Sequence, residues 1–140
     1  PFRQGSVTMA EHLFVYGSLR RGAAHPMHRI LARHATPLGP AVWQGRLYRV
    51  GWYPGAVASD DARDSVRGEL YRLRLPRLVL PPLDRFENCG PGFSAPTEFS
   101  RESHEVHCPD HGSLRAWIYV YRRPVTGLPR IAGGDFLAEN

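Results

Sequence analysis

His12-Leu13-Phe14-Val15-Tyr16-Gly17-Ser18-Leu19 is the stretch on which the reading of this 140-residue chain turns. After His12 the run is apolar and rich in strand-forming side chains, and Gly17-Ser18 closes it, which predicts a short buried strand entering a turn. A chain that leaves a buried strand through Gly-Ser exposes successive backbone N–H groups, a concavity suited to a carboxylate or phosphate. Taken alone, the tetrapeptide 16–19 is better read as a plain strand-ending turn.

Working outward, residues 1–8 carry no periodicity and are expected to be a disordered start or an expression scar ahead of a single domain at 9–140. Pro26 opens an amphipathic helix with Met27, Ile30, Leu31 and His34 on one face, and Pro37 stops it. The period then changes to two. Residues 42–50 read as one strand, 51–55 as its turn and 56–58 as a brief return ended by Asp60-Asp61. A second strand at 66–73 carries Gly68 in its interior, where a bulge or a close backbone approach is expected. Over 76–88, Pro81-Pro82 should end any helix through 78–80 and can begin a new short one. On that reading Leu83 and Phe86 face the core, with Glu87 beside Leu83. Residues 97–108 and 114–122 form a hairpin around Pro109-Asp110-His111-Gly112. The fold class is α+β with strands in the majority, and there is no internal repeat or linker.

Composition removes several kinds of chemistry. The 42% hydrophobic and 22% charged fractions are those of an ordinary globular domain long enough to bury its own core. The net charge is +5, yet every Lys/Arg position is arginine. Without lysine there is no Schiff base, no P-loop lysine and no Ser-Lys dyad. The arginines are scattered and no aromatic recognition motif accompanies them, so nucleic acid is not an expected partner. No apolar run reaches membrane-spanning length and no leader pattern is evident, so a cytoplasmic protein without membrane association is expected. Cys89 and Cys108 are expected to be reduced.

Two constellations are unconvincing. His104, His107, Cys108 and His111 have the composition of a metal site, but in an extended segment His104 and His107 point to opposite faces. No metal or other cofactor is therefore expected. Gly17-Ser18 lacks the second glycine of a nucleophile elbow, and nothing marks a base for Cys89. Glu87 stands apart, because a helical carboxylate on a partly apolar face is unusual.

The order of motifs is more specific than any one of them. Tyr16-Gly17-Ser18-Leu19-Arg20-Arg21-Gly22 is followed by Gly45-Arg46-Leu47-Tyr48, then Tyr53-Pro54-Gly55, Val66-Arg67-Gly68-Glu69-Leu70-Tyr71 and Leu83-Asp84-Arg85-Phe86-Glu87. Phe99-Ser100-Arg101 and the aromatic strand at 116–121 complete it. From about Leu13 to Gly134-Asp135-Phe136 this series resembles the γ-glutamylcyclotransferase-like superfamily, particularly its small AIG2-like and γ-glutamylamine cyclotransferase members. The resemblance implies a mixed, mostly antiparallel sheet forming a small barrel, with a few short helices and a pocket at the 16–19 turn. It implies that Tyr16, Gly17, Ser18 and Leu19, with Tyr53 and Phe99, bind substrate and that Glu87 is the general acid/base. The reaction would cyclise a γ-glutamyl amide to 5-oxoproline and release an amine, with no cofactor. The protein would act as a monomer or homodimer.

That chemistry suits the residue inventory. The substrate's own α-amine is the nucleophile, so cyclisation is intramolecular, and one carboxylate can serve both proton transfers. A glutamate doing this near neutral pH should have a raised pKa in a partly apolar pocket, walled by Phe86, Leu83 and Tyr53. The chain also departs from the pattern. Phe99 stands where relatives often carry tyrosine, Ala24-His25 replaces Asn-His, and Asn88-Cys89-Gly90-Pro91-Gly92 is an atypical insert. These departures support an alternative, a non-catalytic small-ligand binding or regulatory domain of the same fold.

Overall fold

A computed structural model describes residues 11–17, 28–87 and 97–137. The strands β1 (Glu11–Val15), β2 (Ala35–Trp43), β5 (Val66–Leu73), β6 (Phe99–Cys108) and β7 (Gly112–Tyr121) close into a barrel in the order β1-β5-β2-β6-β7. Every pairing is antiparallel except β1 with β7, which run parallel where Leu13 meets Trp117. A separate hairpin joins β3 (Gly45–Val50) to β4 (Tyr53–Ala58). Two helices lie among the described residues, α1 (His28–His34) and α2 (Pro76–Phe86). Neither is long and apolar enough to cross a membrane.

β1 is paired on both edges and covered on both faces, which is why it is apolar at consecutive positions rather than at alternate ones. Leu13 and Val15 join an outer core with Leu31 of α1 and Val79, Leu80 and Leu83 of α2. Phe14 and Tyr16 belong to the barrel interior with Leu70, Val106, Ile118 and Val120. The alternation repeats on β7, where Tyr119 and Tyr121 face the helices and Ile118 and Val120 face inward. Gly68 is the close approach anticipated for it. A Cβ there would lie 2.2 Å from the Val15 carbonyl oxygen and 2.7 Å from the Phe14 ring.

Four details differ from the expectation. Residues 42–50 are not one strand: Gln44 breaks the run, leaving β2 in the barrel and β3 in the hairpin. α1 ends at His34 rather than at Pro37, and β2 starts at once; Pro37 sits within it beside a register shift between Pro37 and Gly39. Such irregularities are where a strand tolerates proline. The turn of the small hairpin is Gly51-Trp52 alone, so Tyr53 already pairs with Val50. Finally, α2 runs through Pro81 and Pro82 without ending. The two rings forfeit two N–H donors in the middle of the helix, and the burial of Val79, Leu80 and Leu83 carries the element through.

The carboxyl end of α2 is tied down by a polar contact. Asp84 is buried and accepts two hydrogen bonds from Arg101, from Nε at 2.8 Å and from Nη2 at 3.2 Å. The Tyr119 hydroxyl donates to the same carboxylate at 2.7 Å. The Arg101 guanidinium lies over the Trp117 ring, 4.5 Å from its centroid. One aspartate thereby joins the helix to β6 and β7.

Two outcomes follow for stability. Gly68→Ala should destabilise the fold by about 2–3 kcal/mol in urea unfolding, because the obstructing atoms include backbone that cannot rotate away. Asp84→Ala should cost about 3 kcal/mol by the same measurement, since it strands Arg101.

Candidate active site

The chain leaves β1 at Tyr16, and the first constraint on the site is what that side chain does. Its hydroxyl donates to the Tyr119 carbonyl at 2.6 Å and accepts the Ala56 N–H at 3.2 Å. Three elements, β1, β4 and β7, are thus pinned at one oxygen inside the barrel. Burial, with the nearby Glu87 charge adding to it, pushes this phenol well above its ordinary range, so it stays protonated. With the proton committed to Tyr119, the ring is what Tyr16 offers a ligand. Gly17 follows against β4, where a Cβ would lie 3.0 Å from Pro54 Cγ.

Beyond this point lies a cavity of about 200 Å³. It brings together Tyr16, Gly17, Tyr53, Glu87 and Phe99, the sequence-predicted residues that fall within the described part of the chain. Ser18 and Leu19 lie outside the described residues, as does Cys89. Phe14, Val15, Trp52, Pro54, Phe86, Glu98 and Tyr119 complete the lining. Leu83, anticipated as part of the wall, is fully buried in the outer core instead. Aromatic edges organise one side: the Tyr53 ring lies 6.1 Å from Phe99 and 5.2 Å from Trp52, and Phe99 packs on Tyr121 at 5.5 Å. Trp52 is 74% exposed and stands at the rim.

Glu87 reaches the cavity because it caps the carboxyl end of α2, its N–H bonded to the Leu83 carbonyl at 2.9 Å. Its carboxyl opens on the cavity while protein surrounds it on the other sides. Among the described residues no side chain donates a hydrogen bond to that carboxyl or forms an ion pair with it. Arg85, the partner a surface carboxylate would take, is exposed. Burial, with the neighbouring Glu98 charge adding to it, pushes the Glu87 pKa up to about 7. A carboxyl so placed exchanges a proton near neutrality.

Glu98 was not anticipated from sequence. It accepts a short hydrogen bond from the Tyr53 hydroxyl, and burial and that carboxylate together push the phenol up to about 12. Its position directly before Phe99-Ser100-Arg101 was the signal available; Asp84, three residues before Glu87 in the same motif, was likewise passed over. No arginine or histidine lines the cavity among the described residues. The hairpin histidines lie elsewhere. His104 bonds Glu102 at 3.0 Å and packs on Trp43, His107 is exposed, and Cys108 is a buried free thiol.

Comparison with known proteins identifies the family and the fold. The family described as "Gamma-glutamyl cyclotransferase, AIG2-like" matches residues 13–138. The chain is 38% identical over 128 residues to the gamma-glutamylcyclotransferase family protein YtfP of Escherichia coli K12, covering 89% of this chain and 95% of that protein. The solution structure of Escherichia coli ytfP superposes with a TM-score of 0.58 at 36% identity, over 90% of this chain and 96% of that one. A crystal structure of an AIG2-like protein from Mus musculus shares the fold with a TM-score of 0.70 at 23% identity, over 94% of this chain and 90% of that one. By sequence and by fold, the chain belongs to the gamma-glutamyl cyclotransferase, AIG2-like family.

Proposed function

We propose that this protein is a γ-glutamylcyclotransferase-type enzyme that converts a γ-glutamyl amide to 5-oxoproline and a free amine, with Glu87 as the general acid/base. The observation that carries this reading is the Glu87 carboxyl itself, which has no side-chain partner among the described residues and lines the cavity at the end of β1. A merely structural carboxylate would be exposed or paired, as Asp84 is.

The reaction needs little else from the protein. Glu87 takes a proton from the substrate's α-ammonium, and the freed amine attacks the γ-carbonyl carbon. A new N–C bond forms and the oxygen becomes an oxyanion. Protonated Glu87 first gives its proton to the departing nitrogen as the amide C–N bond breaks and the oxyanion returns to a carbonyl. The carboxylate so regenerated then takes the extra proton from the attacking nitrogen and passes it to the released amine, which leaves as ammonium. Atoms and charge balance: a zwitterionic γ-glutamyl amide yields the 5-oxoproline carboxylate and an ammonium ion. By the family resemblance, the α-carboxylate or the oxyanion falls to the amides of the 16–19 turn, of which Tyr16 and Gly17 line the cavity. Holding the amine against the carbonyl supplies much of the rate gain. The phenol missing at Phe99 has a counterpart in Tyr53, which lines the same cavity and bonds Glu98 through its hydroxyl. That favours an enzyme over a binding domain.

Glu87→Gln should fold as the wild type does and lose at least about a hundredfold in kcat, scored as 5-oxoproline released from a panel of γ-glutamyl amides. Undiminished turnover would assign the base elsewhere; an inactive wild type that binds 5-oxoproline tightly would make this a binding domain. The wild-type kcat/KM should rise with pH through about 7, where Glu87 loses its proton.

The same residue predicts a stability effect. Its pKa is raised from 4.5 to about 7, so the folded state holds a proton that the unfolded chain releases between those values. Stability from this group is therefore fully present below pH 4.5 and is lost as pH rises through about 7. The loss is at most about 3 kcal/mol, and less where solvent enters the cavity mouth. Glu87→Gln should raise Tm relative to wild type at pH 8 and leave it unchanged at pH 4, as read by thermal denaturation.

A further inference from the structure

The cavity is acidic although the chain is not. In a protein of net charge +5, the charged side chains lining it among the described residues are both carboxylates, Glu87 and Glu98. They come from different elements, the end of α2 and the segment that enters β6, and they are close enough to act on each other electrostatically. Two carboxylates beside aromatic walls and no lining cation call for a positive occupant. The proposed reaction brings one, the α-ammonium of the γ-glutamyl group.

The two carboxylates are not equivalent. Glu87 has no hydrogen-bond donor among the described residues, whereas Glu98 is held by the Tyr53 hydroxyl. Tyr53 in turn is fixed between Trp52 and Phe99 by ring contacts. The backbone N–H of Arg122 donates to the Glu98 carbonyl at 2.8 Å, which anchors the chain where it turns into β6. An anchored carboxylate is suited to holding a cation in place, and an unanchored one to exchanging a proton. We propose that Glu98, held by Tyr53, positions the substrate's α-ammonium while Glu87 removes its proton.

This rests on the cyclotransferase reading and assigns it a substrate requirement: a free α-ammonium on the γ-glutamyl group. It also accounts for release of product. Once the amine has become a lactam nitrogen it carries no charge, and Glu98 loses its hold on it. Among the described residues, the charged and titratable groups around Glu87 and Glu98 are Tyr16 at the end of β1, Tyr53 from β4, Tyr119 and Tyr121 from β7 and Arg123 just beyond β7; Tyr16 feels the Glu87 charge, and Tyr121 and Arg123 act on Tyr53.

The test compares one probe that has the ammonium with one that lacks it. γ-Glutamyl ethylamide has it, and 5-oxoproline does not. Glu98→Gln should raise KM for γ-glutamyl ethylamide about tenfold or more, consistent with loss of a charge-assisted contact, and leave the Kd of 5-oxoproline unchanged. Removing the neighbouring negative charge should also move the acid limb of kcat/KM to lower pH. Tyr53→Phe, which keeps the ring and frees Glu98, should give a smaller rise in KM in the same direction. It serves as the decisive variant if Glu98→Gln does not fold.

Unchanged KM in either folded variant overturns the assignment of Glu98, as does equal weakening of both probes. These results are separable from failure of the parent reading. Where the wild type cyclises γ-glutamyl ethylamide and Glu87→Gln does not, the enzyme stands whatever Glu98 does. Where the wild type leaves every γ-glutamyl amide intact, cyclotransferase and ammonium positioning fall together.

Discussion

The ion pair of Asp84 with Arg101 sets the position of everything chemical in this molecule. Its aspartate sits three residues before Glu87, on the last full turn of α2, and receives two hydrogen bonds from β6 and one from β7. A helix docked by apolar contacts alone can slide or rotate by fractions of a turn at little cost. One docked by a bidentate guanidinium and a phenol cannot, because each donor has a fixed direction. The orientation of the Glu87 carboxyl is inherited from that geometry. The pair is also where burial is tolerated, since Asp84 has three donors and Arg101 has an aromatic face beneath it.

The second constraint is the burial of β1 on both faces. A strand with helices outside and a filled barrel inside cannot shift its register without moving every side chain to the wrong core. The residue that follows it, Tyr16, is pinned further through one hydroxyl to Tyr119 and Ala56. Tyr119 appears in both constraints: its carbonyl receives Tyr16 and its hydroxyl reaches Asp84. The two walls of the cavity are therefore referenced to one residue on β7. A site whose halves come from Tyr16 and Gly17 on one side and Glu87, Glu98 and Phe99 on the other keeps its dimensions for this reason.

Much of this was legible in the sequence where a local rule had no competitor. The apolar run at 13–16, the interior glycine at 68 and the hairpin at 109–112 each carry their own physical signature, and each was read for what it is. The errors share a cause. Gln44 within an alternating run gave no sign that the chain changes sheets, because the period of two continues across it. Pro81-Pro82 argued for a break by local rule, and tertiary burial of Val79, Leu80 and Leu83 overrode it. Glu87 stands out in the sequence as a helical carboxylate on a partly apolar face. Glu98 was missed because its partner, Tyr53, is 45 residues away and no spacing rule links a hairpin to the start of β6.

The contrast between the two acidic residues of the motif bears on function more than either does alone. Asp84 and Glu87 share one helix end, one stretch of sequence and one kind of side chain. The fold gives Asp84 three donors and Glu87 none among the described residues. A chain with 18 Lys/Arg positions has no shortage of guanidinium groups to neutralise a carboxylate. Leaving one unpaired beside a second negative charge lowers stability at neutral pH, and a stable fold keeps such a feature only when the surrounding structure enforces it. Here the enforcement is visible in the docked helix end, the pinned end of β1 and the aromatic wall. A buried carboxyl at the meeting point of those three, with no side-chain partner among the described residues, is the property that packing alone does not explain.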